Sequence, residues 1–458
     1  MLRGIPFFFM EIIIILLFVI GYACIALEHT FNINKTASAL LTGILCWTLF
    51  ALSEPSQHLL DSQMYKETIR MLELEGATFS GAGDQFREFV LYHLNHHLAS
   101  IAQIIFFLLG AMTIVELVDA HHGFRFITDR IGTKSPIKLL WIICIVTFFL
   151  SAILDNLTTS IVMVSLIRKL VHERQSRMFF AGMIIIAANA GGAWTPIGDV
   201  TTTMLWIGGQ ISTVGIMKSL FLPSVVCLLV PLIYLTFTMK ATLGEGAVGL
   251  SHHDHVKGSK LMLFLGVGAL ISVPIFKTYT HLPPYMGMLL GLGILWVTSE
   301  LIHPDLDEVE KKKYTAAGAL SRIDVPSVLF FLGILLAVAA LESMLTLQNF
   351  AALLTDYFRD NRIIITLIGL LSAIVDNVPL VAASMGMYSL ETYPQDHLIW
   401  EYLAYCAGTG GSILIIGSAA GVAVMGMEKI DFIWYFKRVS LIAMLGYFAG
   451  AGVYLLLQ

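Results

Sequence analysis

An aspartate followed by an asparagine stands twice inside long apolar runs. The first copy is Asp155-Asn156 in Ser151-Ala152-Ile153-Leu154-Asp155-Asn156-Leu157-Thr158-Thr159; the second is Asp376-Asn377 in Ser372-Ala373-Ile374-Val375-Asp376-Asn377-Val378-Pro379-Leu380. At bilayer depth an ionisable side chain costs about 2.5–3.5 kcal/mol on insertion scales, and it is kept where it handles an ion or a proton. A third carboxylate, Asp199, ends the stretch from Asn189 through Gly191, Gly192, Pro196 and Gly198, and Thr201 and Thr202 follow it. The matching stretch of the second half, Gly408-Thr409-Gly410-Gly411-Ser412 with Gly417 and Ser418, carries hydroxyls and no acid. Asp155, Asn156, Thr158, Thr159, Asn189, Asp199, Thr201, Thr202, Asp376, Asn377 and Ser412 thus supply hard oxygens. A sodium ion stripped of water takes about six such ligands, with Asp155, Asn156 and Asp199 as its main holders. A carboxylate away from water needs either a cation beside it or a proton on it, and one carboxylate cannot favourably hold both. That competition is the minimal chemistry of cation/proton exchange.

The elements that must position these residues are membrane helices. Of 458 residues, 57% are hydrophobic and 13% charged, against about 25% charged in a soluble domain. Runs of about 20 apolar residues recur, each long enough to cross a core roughly 30 Å thick, and the short alternating segments of a β-barrel are missing. The fold class is therefore an all-α polytopic membrane protein. The opening apolar run from Pro6 to Leu27 exceeds the 7–15 residues of a signal-peptide core and is expected to stay as a first helix. Five scattered cysteines, Cys24, Cys46, Cys144, Cys227 and Cys406, lie in apolar segments without metal-ligand spacing and read as packing residues. A net charge of −5 without a basic tract gives no sign of nucleic-acid binding.

Internal similarity divides the chain into two repeats, residues 1–240 and 260–458, joined by a cytoplasmic linker at 241–259. Gly43 to Trp47 with Ser53-Glu54 is echoed by Gly291 to Trp296 with Ser299-Glu300; Phe106-Phe107-Leu108 is echoed by Phe330-Phe331-Leu332. The run 137–170 is too long for one crossing, too short for two, and basic at both ends through Lys134, Lys138, Arg168, Lys169, Arg174 and Arg177. Positive residues favour the cytoplasm, so a re-entrant hairpin with Asp155-Asn156 at its tip is expected, and a second hairpin at 362–390. The Gly- and Pro-rich centres of 178–209 and 401–427 predict broken helices, whose free backbone groups and half-helix ends bind ions at the midplane in many transporters. Each half then has five spanning helices, one of them broken, plus a hairpin. The odd number of crossings inverts the second half against the first.

Four further residues are candidates for coupling or pH sensing. Glu116 and Glu342 lie near helix ends, where they either face the interface or pair with Arg or Lys. His93 and His97 sit with His96 at the end of a long polar loop, 54–97, in which a surface helix is expected around Tyr65 to Leu74; the position is open both to pH sensing near 6.5 and to simple surface exposure. The tract His252-His253-Asp254-His255 reads as a solvated loop.

The two Asp-Asn tips and the Asn189 to Thr203 break resemble the NhaD-type sodium/proton antiporters, a branch of the ion transporter superfamily that also holds dicarboxylate symporters. The resemblance covers nearly the whole chain and rests on Ser151 to Thr159, Gly192 to Asp199 and Ser372 to Asn377. It implies two inverted repeats, a scaffold and a moving transport domain, a homodimer, and a bacterial inner (cytoplasmic) membrane. It also implies export of sodium, and of lithium, against entering protons, without a cofactor. In the dicarboxylate branch the tips resemble Ser-Asn-Thr; Asp155 and Asp376 replace the first Ser here, which suits a cation and repels a carboxylate. A sodium-coupled dicarboxylate or metalloid oxyanion carrier is the alternative, but neither tip holds Arg or Lys. A membrane enzyme would need a nucleophile with its base mid-membrane, and no such arrangement is readable.

Overall fold

The computed structural model describes residues 7–26, 28, 33–128, 133, 135–238, 256–304, 307 and 311–458. Lys134, Lys240, the tract His252 to His255, most of the linker and the opening Met1 to Pro6 lie outside the described residues. Among the described residues every regular element is a helix. The first half contains α1 (Phe7–Ala26), α2 (Lys35–Leu52), α3 (Ala82–Ala120), α4 (Pro136–Ser151), α5 (Asn156–Leu170), α6 (Arg174–Gly192), α7 (Val200–Ile207) and α8 (Thr213–Thr238). The second contains α9 (Ser259–Thr280), α10 (Pro284–Ile302), α11 (Val325–Ser343), α12 (Asn361–Leu371), α13 (Asn377–Met387), α14 (Leu398–Gly410), α15 (Ala419–Glu428) and α16 (Leu441–Leu457). A π-helical turn, Phe436–Ser440, leads into α16.

Seven helices among the described residues are long and apolar enough to cross a membrane. The elements around the Asp-Asn motifs are shorter: α5 has 15 residues, α12 and α13 have 11 each. At 1.5 Å per residue these are about 17–23 Å long, less than the roughly 30 Å of a hydrocarbon core. Their starts are fixed by side chains at the motifs themselves. Asp155 caps α5 by accepting from Thr158 N, Asp199 caps α7 by accepting from Thr201 N, and Ser418 caps α15 by accepting from Gly421 N. Such caps satisfy backbone donors that a buried helix end would otherwise leave bare.

Two segments differ from the sequence-based expectation. In the loop 54–97 the helix expected around Tyr65 to Leu74 is present as Gln63–Leu74, but α3 already begins at Ala82, inside the stretch read as loop. Phe86, Phe89, Val90 and His93 recur at helical spacing and are all buried, a face too interrupted by charge to register as an apolar span. A helix at Thr346–Phe358 follows α11.

The chain forms two compact units, each drawing on both halves of the sequence. Unit 1 comprises Met1–Ile105, Asp324–Arg359 and Ala382–Thr392. In it α2 crosses α11 at two glycines: a Cβ on Gly43 would stand 2.4 Å from Gly333 O, and one on Gly333 would stand 2.5 Å from Leu40 N. Trp47 Nε1 donates to Leu336 O at 2.8 Å beside that crossing. Unit 2 comprises Phe106–Ile323, Asp360–Val381 and Tyr393–Gln458, and both Asp-Asn motifs and both broken helices belong to it.

Candidate cation site

The start of α5, the end of α6 and the two helix breaks meet in one hydrogen-bonded chain. Asn156 Nδ2 donates to Asp199 Oδ2 at 2.6 Å and to Asn189 Oδ1 at 3.0 Å. Asn189 Nδ2 in turn donates to Ser412 Oγ at 2.9 Å and Ser418 Oγ at 3.0 Å. Asn189 is therefore the link between the acid of the first break and the hydroxyls of the second. All five side chains are buried, Asp199 with 2% of its surface exposed. The remaining carboxylate oxygen of Asp199 accepts from Thr201 N and Thr201 Oγ1, both at 2.9 Å. Thr202 Oγ1 donates to Asp199 O at 2.9 Å.

Asp155 and Asp376 are half-buried. Thr158 binds Asp155 through N and Oγ1, both at 2.7 Å, and Val378 N lies 3.4 Å from Asp376 Oδ1. The charges of Asp376 and Asp155 both act on Asp199, so the two tips converge electrostatically on the first break. Asn377 Nδ2 and Thr159 Oγ1 are buried without a hydrogen-bond partner. A buried carboxylate such as Asp199, with the charges of two further acids acting on it, needs positive charge, as a cation or as protons, and the carboxylate, amide and hydroxyl oxygens are those a hard monovalent cation takes.

The backbone that holds this centre is built twice. Ser151 Oγ donates to Ala188 O at 2.7 Å, and Ser372 Oγ donates to Ala407 O at 2.8 Å. A Cβ on Gly191 would stand 2.2 Å from Phe148 O, and one on Gly410 would stand 2.0 Å from Gly369 O. Gly192 packs against Gly198 O and Gly411 against Gly417 O in the same way.

Of the expected site residues, Asn156, Asn189, Asp199, Thr201, Thr202 and Ser412 stand in this network, and Asp155, Thr158 and Asp376 border it. The candidates for coupling have other neighbours. Glu116 pairs with Arg322, the second of the two settings open to it. In unit 1, Glu342 lies against Gly386, where an added Cβ would come within 3.3 Å of the carboxyl carbon. His93 is buried with Nε2 3.2 Å from Thr68 Oγ1, and the His97 ring lies 6.3 Å from that of Trp47. The bond from Asn189 to Ser418 was not legible in the sequence, because it joins one half to the other. Ser151 and Ser372 also went unassigned, although their recurrence in both motifs was the available signal.

A family model described as "Citrate transporter" matches residues 15–410. Sodium/proton antiporter 1 of Arabidopsis thaliana is 50% identical over 97% of the chain and 72% of its own length. Sodium/proton antiporter 2 of the same plant is 45% identical over 96% of the chain and 98% of its length. The Na(+)/H(+) antiporter NhaD of Vibrio cholerae is 31% identical over 97% of the chain and 91% of its length. The chain belongs to the NhaD-type ion-transporter family. As a member of that family it is a multi-pass membrane transporter and not an enzyme.

Proposed function

We propose that the protein exchanges sodium for protons across its membrane, with Asp199, Asp155 and Asp376 alternately neutralised by the cation and by protons. The observation that carries this reading is the buried chain Asp199–Asn156–Asn189–Ser412/Ser418. It offers a cation one acid and several neutral oxygens. Asn156 and Asp199 would hold the ion with Asp155, while Asn189 and Ser412 bring in the second half. Thr158 and Thr201 orient the carboxylates, Thr202 holds the backbone carbonyl of Asp199, Thr159 offers an unpartnered hydroxyl, and Asn377 carries an unpartnered amide N–H group. Lithium, with the same charge and a smaller radius, is a second cargo of this site. The names of the relatives support sodium and protons as the ions moved.

The doubled geometry of the breaks supports two inverted repeats, 1–240 and 260–458, with re-entrant hairpins at 137–170 and 362–390 that expose the centre to opposite faces in turn; a homodimer is the assembly we expect. Exchange of this kind needs a membrane with a proton gradient, such as a bacterial inner membrane, and the relatives come from a plant and from bacteria. The family description as a citrate transporter favours a carboxylate cargo. Three carboxylates at the centre oppose it. Sodium-, lithium- and potassium-induced dequenching of a pH dye in everted vesicles tests the reading, and citrate uptake without sodium-induced dequenching would overturn it.

A further inference from the structure

Three helices run from the cation site to one ion cluster built on a buried carboxylate. Asn156 starts α5, and Arg168 lies twelve residues further along it. Asn189 lies near the end of α6, and Arg177 stands twelve residues before it. Ser418 caps α15, and Glu428 ends that helix ten residues later. At 1.5 Å per residue the three spans are about 15–18 Å each. At the site end Asn156, Asn189 and Ser418 are linked by hydrogen bonds. At the far end Glu428 accepts from Arg168 Nε and from Arg177 Nε, both at 2.6 Å, and its side chain is 1% exposed. Arg177 also donates to Val171 O, and Arg174 to Lys429 O, so the loop after α5 and the end of α15 are drawn into the same knot.

We propose that Glu428, Arg168 and Arg177 are positioning residues that set the geometry of the cation site from the opposite ends of its three supporting helices. The inference rests on the cation-exchange reading. Ion pairs on a buried carboxylate add little net stability, because desolvation offsets their attraction, and the role assigned to these is to fix register. Register is what this site requires. A slide of one helix by a single residue moves its end by about 1.5 Å, which would break the Asn156–Asp199 and Asn189–Ser418 bonds. A tilt of about 5° over the same length displaces the site end by roughly as much, and ligand constellations tolerate only about 0.5 Å. Bonds at the site alone leave each helix free to pivot; bonds at both ends do not.

The test uses the full chain with Glu428→Gln, which keeps shape and removes charge, and Glu428→Asp, which keeps charge. Folded protein in the membrane, the apparent KM for sodium, the maximal exchange rate and the thermal shift of the purified protein in sodium are measured together. Glu428→Gln should raise KM several-fold and shrink the sodium-induced thermal shift, with the maximal rate nearly kept; Glu428→Asp should restore most of both. Unchanged KM and thermal shift with less folded protein would mean a merely structural cluster and overturn the inference. If Glu428→Gln does not fold, Arg168→Gln, which leaves the Arg177 bond, should raise KM by a smaller factor, and an unaltered KM there overturns it equally. A wild-type protein with neither exchange nor a sodium-induced shift would instead sink the cation-exchange reading.

Discussion

At the first break the close approach of Gly191 to Phe148 O, the cap on the second half-helix and the Ser151 bond to Ala188 O have counterparts at the second in Gly410, Ser418 and Ser372. The backbone solution is the same. The side chains at matching positions differ: Asn189 against Gly408, Ala193 against Ser412, Asp199 against Ser418. The first break thus brings the acid and the bridging amide, and the second brings two hydroxyls that receive that amide. The two breaks share capped half-helices, and a few differing side chains make of them one unsymmetrical hydrogen-bonded cluster rather than two equal ones.

Breaking the asymmetry should have the largest effect. Asp199→Asn keeps the cap shape and removes the acid that both tips act on, and sodium-driven pH change in everted vesicles should vanish, as it should for Asp155→Asn. Exchange that survives undiminished in either variant would take that carboxylate out of the mechanism. The common backbone comes next. Gly191→Ala and Gly410→Ala each push a Cβ against a carbonyl oxygen, and overpacking of this kind costs about 1–3 kcal/mol, occasionally more. Both should lower the melting temperature by similar amounts in a detergent unfolding assay. Gly426→Ala, with nothing within 4 Å of the new Cβ, should be tolerated. A large loss at one break and none at the other would mean that the two backbones are not equivalent.

How much of this was legible in the sequence follows from what kind of contact each residue makes. The Asp-Asn motifs and the Gly-rich breaks stood out because charge and helix breakers are conspicuous in apolar runs. The caps by Asp155, Asp199 and Ser418 are local, within three residues of their donors. The bonds that make the site single join residues far apart, Asn189 to Ser412 and Ser418, and Glu428 to Arg168 and Arg177. No periodicity encodes them. Amphipathic stretches such as 82–97 were missed for another reason, since charge on the outer face masks the buried stripe of Phe86, Phe89 and Val90.

Smaller effects separate the two halves of the comparison further. Ser418→Ala removes one of the two acceptors of Asn189 Nδ2, a loss of about 1 kcal/mol or roughly fivefold in affinity. The apparent KM for sodium should rise by about that factor while exchange persists. Ser151→Ala and Ser372→Ala each lose one bond to a helix carbonyl, about 1 kcal/mol of stability, and should match each other in chemical denaturation. A gap between them would show that one tip bears more load than the other.

The smallest expected effect concerns a titrating cluster that belongs to neither break and must be subtracted before pH profiles of the centre are read. His121 and His303 are buried with their rings stacked 5.3 Å apart, Tyr314 packs on both, and neither Nε2 has a partner. Burial first, then His303 and His122, hold His121 below the ordinary 6.5 despite the bond from its Nδ1 to Leu117 O; burial first, then Lys257 and Lys311, do the same to His303. Both pKa values are depressed on folding, so the unfolded chain binds more protons and stability falls as pH drops below about 6.5. His121→Asn should flatten the acid limb of a melting curve measured against pH. Exchange at neutral pH should not change, because the acids proposed to carry it lie at the two tips and the first break; a shifted neutral-pH exchange rate would instead draw this cluster into the transport cycle.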